Sequence, residues 1–522
     1  MSSGMEVLTH PFSAVALLDE RRRTMVGVID IGSNSLRLVI YDRVSRSPMV
    51  LFNEKVMCAL GRGLNNSGRL NPEGVVLARD NIERFVALAR GLGVARLDIL
   101  ATAAVRDASD GAEFVAEIER RNAVKVQVID GLEEGRLSAA GVRAGIPEAD
   151  GITGDMGGGS VELAMTGAIV SPLVASLPIG ALRLTEAGGD DARARQIVDQ
   201  AVASLDWLAQ GRGRHFYAVG GTWRALARIH MEQTGYPLHI IQNYSIGRHE
   251  IESFTDLISR QSRRSLDKVA GISRKRLETV PLAAYVLHRL VKAIQPDRVV
   301  FSAYGLREGH LFEQLPPAEQ RLDPLLAAAE TIARTNPRFA AGGDELVRWT
   351  EPLFPGETAS QKRLRRTAAL LSDIGWSEHP DYRDEQTFMR CLRMPVAGLD
   401  HQARAFLAVA LHARYGGNPD AQILTRIYGL IDEPTMARGR AVGLGLRLAY
   451  TLSGGAPGLV GGATLEVDET TLALTVPEHT AIYTGEAVQR RLDALGRAVG
   501  KRTVVRTEDA EVPPPARKRA RG

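Results

Sequence analysis

Cysteine is nearly absent: Cys58 and Cys391 are the only two in 522 residues, too few and too far apart for a disulfide framework or a cysteine-based zinc site. A reducing, cytoplasmic setting is the expectation that follows. A dominant charge is missing too. The 65 Lys and Arg stand against 61 Asp and Glu, a net charge of +4, so composition gives no ground for nucleic acid as a partner. Nor is there a long apolar run. Val15-Ala16-Leu17-Leu18 is too short to cross a bilayer, and Arg21-Arg22-Arg23 follows it rather than preceding it as in a secretory signal. No integral membrane segment is therefore expected. What remains, 44% hydrophobic and 24% charged residues, is ordinary for globular chains, and the length suggests about three domains.

The pattern along the chain divides accordingly. Residues 1–24 read as a flexible extension. Residues 25–145 alternate strands and helices: an apolar run ending at Asp30, a turn, and Leu36–Ile40, then a helix from Asn71-Pro72 to about Leu92 with Asn71 as its cap. Strands at Leu97–Thr102 and Val124–Ile129 follow, with helices at Ala112–Arg121 and Leu132–Arg143. Residues 146–315 form a second α/β stretch, with strands near Ile152–Asp155, Val161–Met165, His215–Val219 and Arg298–Ser302. Residues 316–510 are mostly helical, apart from strand-like runs at Thr464–Val467 and Leu472–Val476 and a last helix near Glu486–Val499. Residues 511–522 form a Pro-rich basic tail expected to be disordered.

One internal repeat opens both α/β stretches. Asp30-Ile-Gly32-Ser-Asn-Ser35-Leu-Arg37-Leu38 aligns in register with Asp155-Met-Gly157-Gly-Gly-Ser160-Val-Glu162-Leu163. Two similar lobes facing each other would place both turns at one cleft, where small ligands bind. Ser33, Asn34, Ser35 and the run Gly157, Gly158, Gly159, Ser160 are candidates to hold an anion, because such turns let main-chain N–H groups converge and the serines add hydroxyl donors. A single turn of this kind is more often an ordinary hairpin than a phosphate cradle. Two copies, with a third turn at Gly220, Gly221 and Thr222 between a strand and a helix, favour a phosphate cradle.

Acidic residues beside phosphate-binding turns recruit a hard cation such as Mg²⁺, which makes Asp155, Glu162 and Asp30 candidate metal ligands; each can instead cap its turn. Glu134 lies in the first turn of a helix, where an acid opposes the macrodipole, and where it can also serve as a general base toward water. Arg106, just past a strand end, is placed either for a surface salt bridge or to stabilise charge on a transferring phosphoryl group.

Six blocks then occur in a characteristic order: Asp30-Ile-Gly-Ser-Asn-Ser-Leu-Arg37, Thr102-Ala-Ala-Val-Arg-Asp-Ala108, Ile129-Asp-Gly-Leu-Glu-Glu-Gly-Arg-Leu137, Asp155-Met-Gly-Gly-Gly-Ser-Val-Glu-Leu163, Val219-Gly-Gly-Thr222 and Gly305-Leu-Arg-Glu-Gly309. Over about Val26–Glu313 the chain resembles the exopolyphosphatase/guanosine pentaphosphate phosphohydrolase family. The resemblance implies an α/β fold of two actin/sugar-kinase-like (ribonuclease H-like) domains with a C-terminal mostly helical, HD-like domain. By position, Glu134 matches the family's water-activating carboxylate and Arg106 the arginine at the scissile phosphate. Asp155 and Glu162 match the acids near the divalent ion, and the Gly157–Ser160 and Gly220–Thr222 turns match its phosphate loops. Arg37 and Arg307 match positions linked to guanosine-bearing substrate. The implied reaction is Mg²⁺-assisted hydrolysis of the terminal phosphoanhydride of inorganic polyphosphate, with guanosine pentaphosphate as a second substrate and a homodimer as the assembly. Gly135 stands where many members carry Ala, and Val161 where Thr is common. In the third domain Leu371-Ser372-Asp373-Ile374-Gly375 lacks the His of an HD pair, so a metal centre there is not expected.

Two other classes compete: a catalytically weak sensor of polyphosphate or the guanosine alarmone, and an ATP-dependent small-molecule kinase of the same superfamily. The basic runs Arg260–Arg276 and Lys362–Arg366 offer either a grip on a long polyanion or merely solvated helix faces. The last ten residues hold Arg517, Lys518, Arg519 and Arg521 with no acid, which leaves the rest of the chain formally neutral. An anion site in such a chain must be local.

Overall fold

The computed structural model describes residues 24–167, 172–186, 191–261, 278–335, 338, 342–478 and 481–508. The expected N-terminal extension (Thr24 apart), the basic run from 262 to 276 and the C-terminal tail lie outside the described residues. The chain divides after Pro324 into two compact units.

The first unit begins with the hairpin β1 (Val26–Ile31) and β2 (Leu36–Tyr41), then β3 (Val50–Val56), α1 (Pro72–Gly91), β4 (Arg96–Ala101), α2 (Ala103–Asp107), α3 (Gly111–Asn122), β5 (Gln127–Val128) and α4 (Gly131–Gly145). Its five strands are ordered β3-β2-β1-β4-β5. Residues of β1 alternate between two cores, as the strand period of two requires: Ile29 and Ile31 pack with Ile82 and Phe85 of α1, whereas Val26 and Val28 pack with Leu137 of α4. Covered on both faces, β1 reads as a continuous apolar run.

The second half of this unit holds β6 (Gly151–Met156), β7 (Val161–Thr166), β8 (Val174–Leu177), β9 (His215–Val219), α5 (Gly221–Thr234), β10 (Tyr244–Gly247), α6 (Val280–Ile294), β11 (Arg298–Phe301) and α7 (Leu306–Phe312). The six strands are ordered β10-β11-β9-β6-β7-β8. Helix α4 serves both sheets: Leu137 packs on the first, and Val142 and Ile146 pack with Tyr217, Val219 and Val300 of the second. Its first turn therefore sits where the two lobes meet.

The second unit is mostly helical, with α8 (Ala359–Leu370), α9 (Arg383–Arg393), α10 (His401–Tyr415), α11 (Glu433–Ser453) and α12 (Glu486–Val499) beside a small sheet of β12 (Thr464–Val467), β13 (Thr471–Pro477) and β14 (Arg502–Glu508). Helix α10 is buried nearly all round, which marks it as the central helix.

Several sequence expectations need correction. Strands β3, β8, β10 and β14 were not anticipated, and the strand expected at Val124–Ile129 is only the two residues of β5. All five are sheet edges, where one side has no partner and the alternation that identifies a buried strand is weak. Asn71 precedes α1, but its side chain does not cap the helix; its amide donates to the Ala59 carbonyl at 3.2 Å. The basic run Lys362–Arg366 is spent internally. Lys362 pairs with Glu351 at 2.9 Å, Arg363 donates to the Gly398 carbonyl, the buried Arg365 pairs with Glu357, and Arg366 pairs with Asp344 and Glu330. Asp373 is held by Arg414 at 3.4 Å and Arg338 at 3.5 Å. Among the described residues no helix is long and apolar enough to cross a membrane.

Candidate functional site

The repeat in the sequence is a repeat in space. Gly32 N–H donates to the Ser35 carbonyl and Gly157 N–H to the Ser160 carbonyl, both at 3.0 Å. On the arms of these hairpins Asp30 is opposite Arg37, and Asp155 is opposite Glu162. Both turns are thus tight hairpins. They also face each other closely, since a Cβ on Gly158 would come 3.0 Å from the Ser33 Cβ. The third turn depends on Gly220, whose φ of +104° and close approach to the Met156 carbonyl admit no side chain.

These turns enclose one cavity of about 180 Å³, and every candidate residue lines it except Arg106 and Glu162. Those two adjoin residues that do line it, Arg106 beside Glu134 and Glu162 opposite Asp155. Arg106 sets Nη1 3.5 Å from Glu134 Oε2 and 3.3 Å from the Ile129 carbonyl, with Nε 3.1 Å from Asp107. Glu162 is buried; Ser176 donates to its Oε1 at 2.9 Å, and its Oε2 has no hydrogen-bond partner among the described residues. Asp30 lines the cavity but is engaged by Arg307 at 2.6 Å.

The position of Glu134 follows from its helix. Asp130 caps α4, accepting from Glu133 N–H at 2.8 Å, so Glu134 is not needed as the cap. Ser138, one turn on and on the same face, donates to Asp155 Oδ2 at 2.5 Å. Helix α4 thereby places one acid in the cavity and steadies another. Gly135 leaves the room this requires, because a Cβ there would meet Val174 at 2.9 Å and the Glu162 Cβ at 3.3 Å.

The electrostatics are those of carboxylates crowded together. Burial, then the charges of Glu162 and Asp155, push Glu134 well above the usual carboxylate range, against the opposing pull of Arg106. Burial also raises Glu162, to about 7, and Asp155, which Ser138 and Arg224 hold down in part. A cation among these acids would relieve their repulsion. No group of three or more His, Cys, Asp or Glu among the described residues is arranged as a complete metal cage, but Mg²⁺ typically takes only one or two carboxylates plus phosphate and water oxygens. Asp155, facing the cavity, fits that mode.

A pH prediction follows. A group acting as base must be ionised, so activity should fall as pH drops through the raised value of Glu134. Glu162→Gln removes a charge that raises it, and the acid limb of kcat/KM should move to lower pH. A limb that stays in place in the remaining activity would refute the coupling.

Sequence reasoning missed three residues here. Arg224 lines the cavity; burial pulls it down to about 10 while Asp155 supports its charge. It lies in the first turn of α5, where side chains lean toward the helix N-terminus, a signal present in Gly220-Gly221-Thr222-Trp223-Arg224. Lys55 lines the cavity from β3, paired in register with Arg37. Ser138 was legible as Glu134 plus one helical turn.

Comparison with known proteins gives concordant findings. Residues 39–318 match the Ppx/GppA phosphatase family, and residues 325–505 match the domain described as exopolyphosphatase, C-terminal. Retrograde regulation protein 2 of Saccharomyces cerevisiae is 26% identical over 440 residues, covering 76% of this chain and 73% of that protein. Exopolyphosphatase 1 of Mycobacterium leprae is 28% identical over 307 residues, covering 56% of this chain and 89% of its own. Among solved structures, an exopolyphosphatase from Cytophaga hutchinsonii shares the fold with a TM-score of 0.50 at 23% identity, over 55% of this chain and 97% of that one. The two α/β lobes expected from the sequence are present, followed by the mostly helical C-terminal domain.

Proposed function

Because this chain belongs to the Ppx/GppA phosphatase family, we propose that it is an exopolyphosphatase, releasing orthophosphate from the end of inorganic polyphosphate. The observation that carries this reading is the pairing of a half-buried, proton-seeking Glu134 with Arg106 at the edge of a cavity walled by three glycine turns. Glu134 takes a proton from water as the water oxygen attacks the terminal phosphorus in line. The bond from that phosphorus to the bridging oxygen breaks, and the shortened chain leaves with the electron pair. Arg106 and the turn N–H groups meet the charge that develops on the equatorial oxygens. Asp155 is the residue that would hold Mg²⁺ together with substrate phosphates, and the ion supplies charge neutralisation there. Glu162 and Ser138 act through their neighbours: they set the proton affinity of Glu134 and the orientation of Asp155.

The test is orthophosphate release from long-chain polyphosphate with Mg²⁺ and no acceptor, with guanosine pentaphosphate assayed in parallel on the same preparation. Absence of release from both would reject the proposal. A second reading, a regulatory binding protein with little turnover, has one observation in its favour: the yeast retrograde regulation protein aligns over 76% of this chain, against 56% for the mycobacterial exopolyphosphatase. Binding of either substrate without turnover would select it.

A further inference from the structure

Beside the cavity, the two lobes of the first unit are also bridged by one short helix. Ala181–Glu186 belongs to the second lobe, and its start is bonded to the second glycine turn. Leu182 and Arg183 N–H both donate to the Gly158 carbonyl, at 2.9 and 3.1 Å, and Gly180 and Ala181 N–H donate to those of Gly159 and Gly157, each at 3.2 Å. Gly180 has no room for a side chain, because a Cβ there would stand 2.3 Å from the Gly159 backbone. The backbone of Arg183 is therefore fixed to the turn, while its side chain reaches the other lobe. Its Nη2 lies 2.8 Å from Asp107 Oδ2. Two contacts flank this one: Gly63 N–H donates to Glu186 Oε1 at 2.8 Å, and the Asn65 amide donates to the Arg183 carbonyl at 3.3 Å.

Asp107 carries the contact inward. Its other oxygen, Oδ1, accepts from Arg106 Nε at 3.1 Å, and Arg106 Nη1 faces Glu134 Oε2 and the Ile129 carbonyl. One line of charges thus runs from the second glycine turn through Arg183, Asp107 and Arg106 to Glu134. Helix geometry does not supply it by default. Consecutive helical side chains do not face each other, and Asp107 is the last residue of α2, the end at which an acid opposes the macrodipole. Nor is the pair placed to touch substrate or to add much stability. Ala181 and Leu182 line the cavity, but Arg183 and Asp107 do not. The two side chains are 24% and 32% exposed, enough for water to leave an ion pair with little net stabilisation.

We propose that Arg183 is a positioning residue: by holding Asp107 from the opposite lobe, it makes the placement of the Arg106 guanidinium against Glu134 depend on the second glycine turn. When that turn is docked on the first lobe, Arg106 is aligned to meet charge on the terminal phosphate; when the lobes part, Asp107 loses its anchor and Arg106 its fixed orientation. This role rests on the part proposed for Arg106 in polyphosphate hydrolysis, whereas the latch itself is a contact between two lobes and can be measured without turnover.

The experiment is a double-mutant cycle on the full chain, read by orthophosphate release from long-chain polyphosphate. Arg183→Ala should lower kcat about tenfold, less than the ~10²-fold cost of an about 1 Å misplacement, with KM within about twofold and Tm unchanged. Arg183→Lys, which keeps the charge, should recover part of the loss. In an Arg106→Ala background Arg183→Ala should cost nothing further, because its effect passes through that arginine. Arg121→Ala, which removes exposed ion pairs with Glu83 and Glu117 within the first lobe, should leave kcat unchanged. Wild-type kcat in Arg183→Ala, or the same loss with and without Arg106, overturns the proposal and leaves the exopolyphosphatase reading standing. A loss of kcat accompanied by a lower Tm overturns it too, since Arg183 would then be structural. If the unmodified chain releases no orthophosphate, the exopolyphosphatase reading fails and the latch is judged by distance. Spin labels at Leu77→Cys and Leu257→Cys, exposed positions on the two lobes, face no competition from the buried Cys58 and Cys391. Arg183→Ala should broaden the distribution of distances between them, and an unchanged distribution overturns the latch.

Discussion

Glu134→Gln should lower kcat by about 10²–10⁴-fold with little change in KM, and should do so without destabilising the protein. Gln has the same shape and can still meet Arg106, but it cannot accept a proton from water. The helix does not need the acid, because Asp130 already caps α4. Stability should move the other way. Burial and the charges of Glu162 and Asp155 raise the proton affinity of Glu134 in the folded state, so its ionisation opposes folding as pH rises through that value. Gln pays no such penalty, and the difference in Tm between variant and wild type should grow in the variant's favour between pH 5 and 8. Orthophosphate release and thermal melts on the same samples check both halves. Activity within a few-fold of wild type would remove Glu134 from the chemistry; a lower Tm would make its role structural.

The motif blocks were legible because each combines special backbone with charged side chains. Gly32, Gly157 and Gly220 announce turns, and the acids and arginines beside them announce what the turns could hold. The D-x-G-x-x-S repeat predicted two hairpins facing one cleft, and the cavity is lined by both. Interior strands such as β1 and β6 were legible as apolar runs. Of the edge strands only β12 was legible, and Lys55 went unseen because it sits on β3. Arg224 was obscured for a different reason: a single arginine on a helix is ordinary until the turn before it is known to open into a cavity. Charge runs misled in both directions. Lys362–Arg366 is prominent in the sequence yet consumed by ion pairs, whereas Arg440, Arg447 and Arg497 are scattered over two helices and line one cavity only when those helices pack. Clustering in sequence is thus a poor guide to clustering in space.

Gly309→Ala should destabilise the first unit by about 3 kcal/mol, the upper end of typical overpacking costs, and reduce activity in the fraction that stays folded. Helices α4 and α7 pack with their backbones touching: a Cβ on Gly309 would overlap the Leu137 carbonyl, and one on Gly141 would overlap that of Gly305. A backbone carbonyl cannot rotate aside as a side chain can, so the added methyl must separate the helices. That separation reaches the site from both sides. Helix α4 carries Glu134 and Ser138, and α7 carries Arg307, whose 2.6 Å contact with Asp30 ties it to the first hairpin. A shift of even about 1 Å in reacting groups is enough to cost roughly 10²-fold in rate. Gly91→Ala is the control: it lies at the end of α1 with open space where a Cβ would go, and there alanine should be neutral or stabilising by up to about 1 kcal/mol. Thermal melts should place Gly309→Ala about 6 °C or more below wild type, at the ~2–4 °C per kcal/mol of large domains, and Gly91→Ala at or above it. Assays well below both melting points then separate geometry from unfolding, since only a distorted site lowers kcat in a fully folded sample. Equal melting points for the two variants would mean that the α4–α7 contact yields easily, and the helices could not then be what fixes Glu134 against Arg307 and the turns.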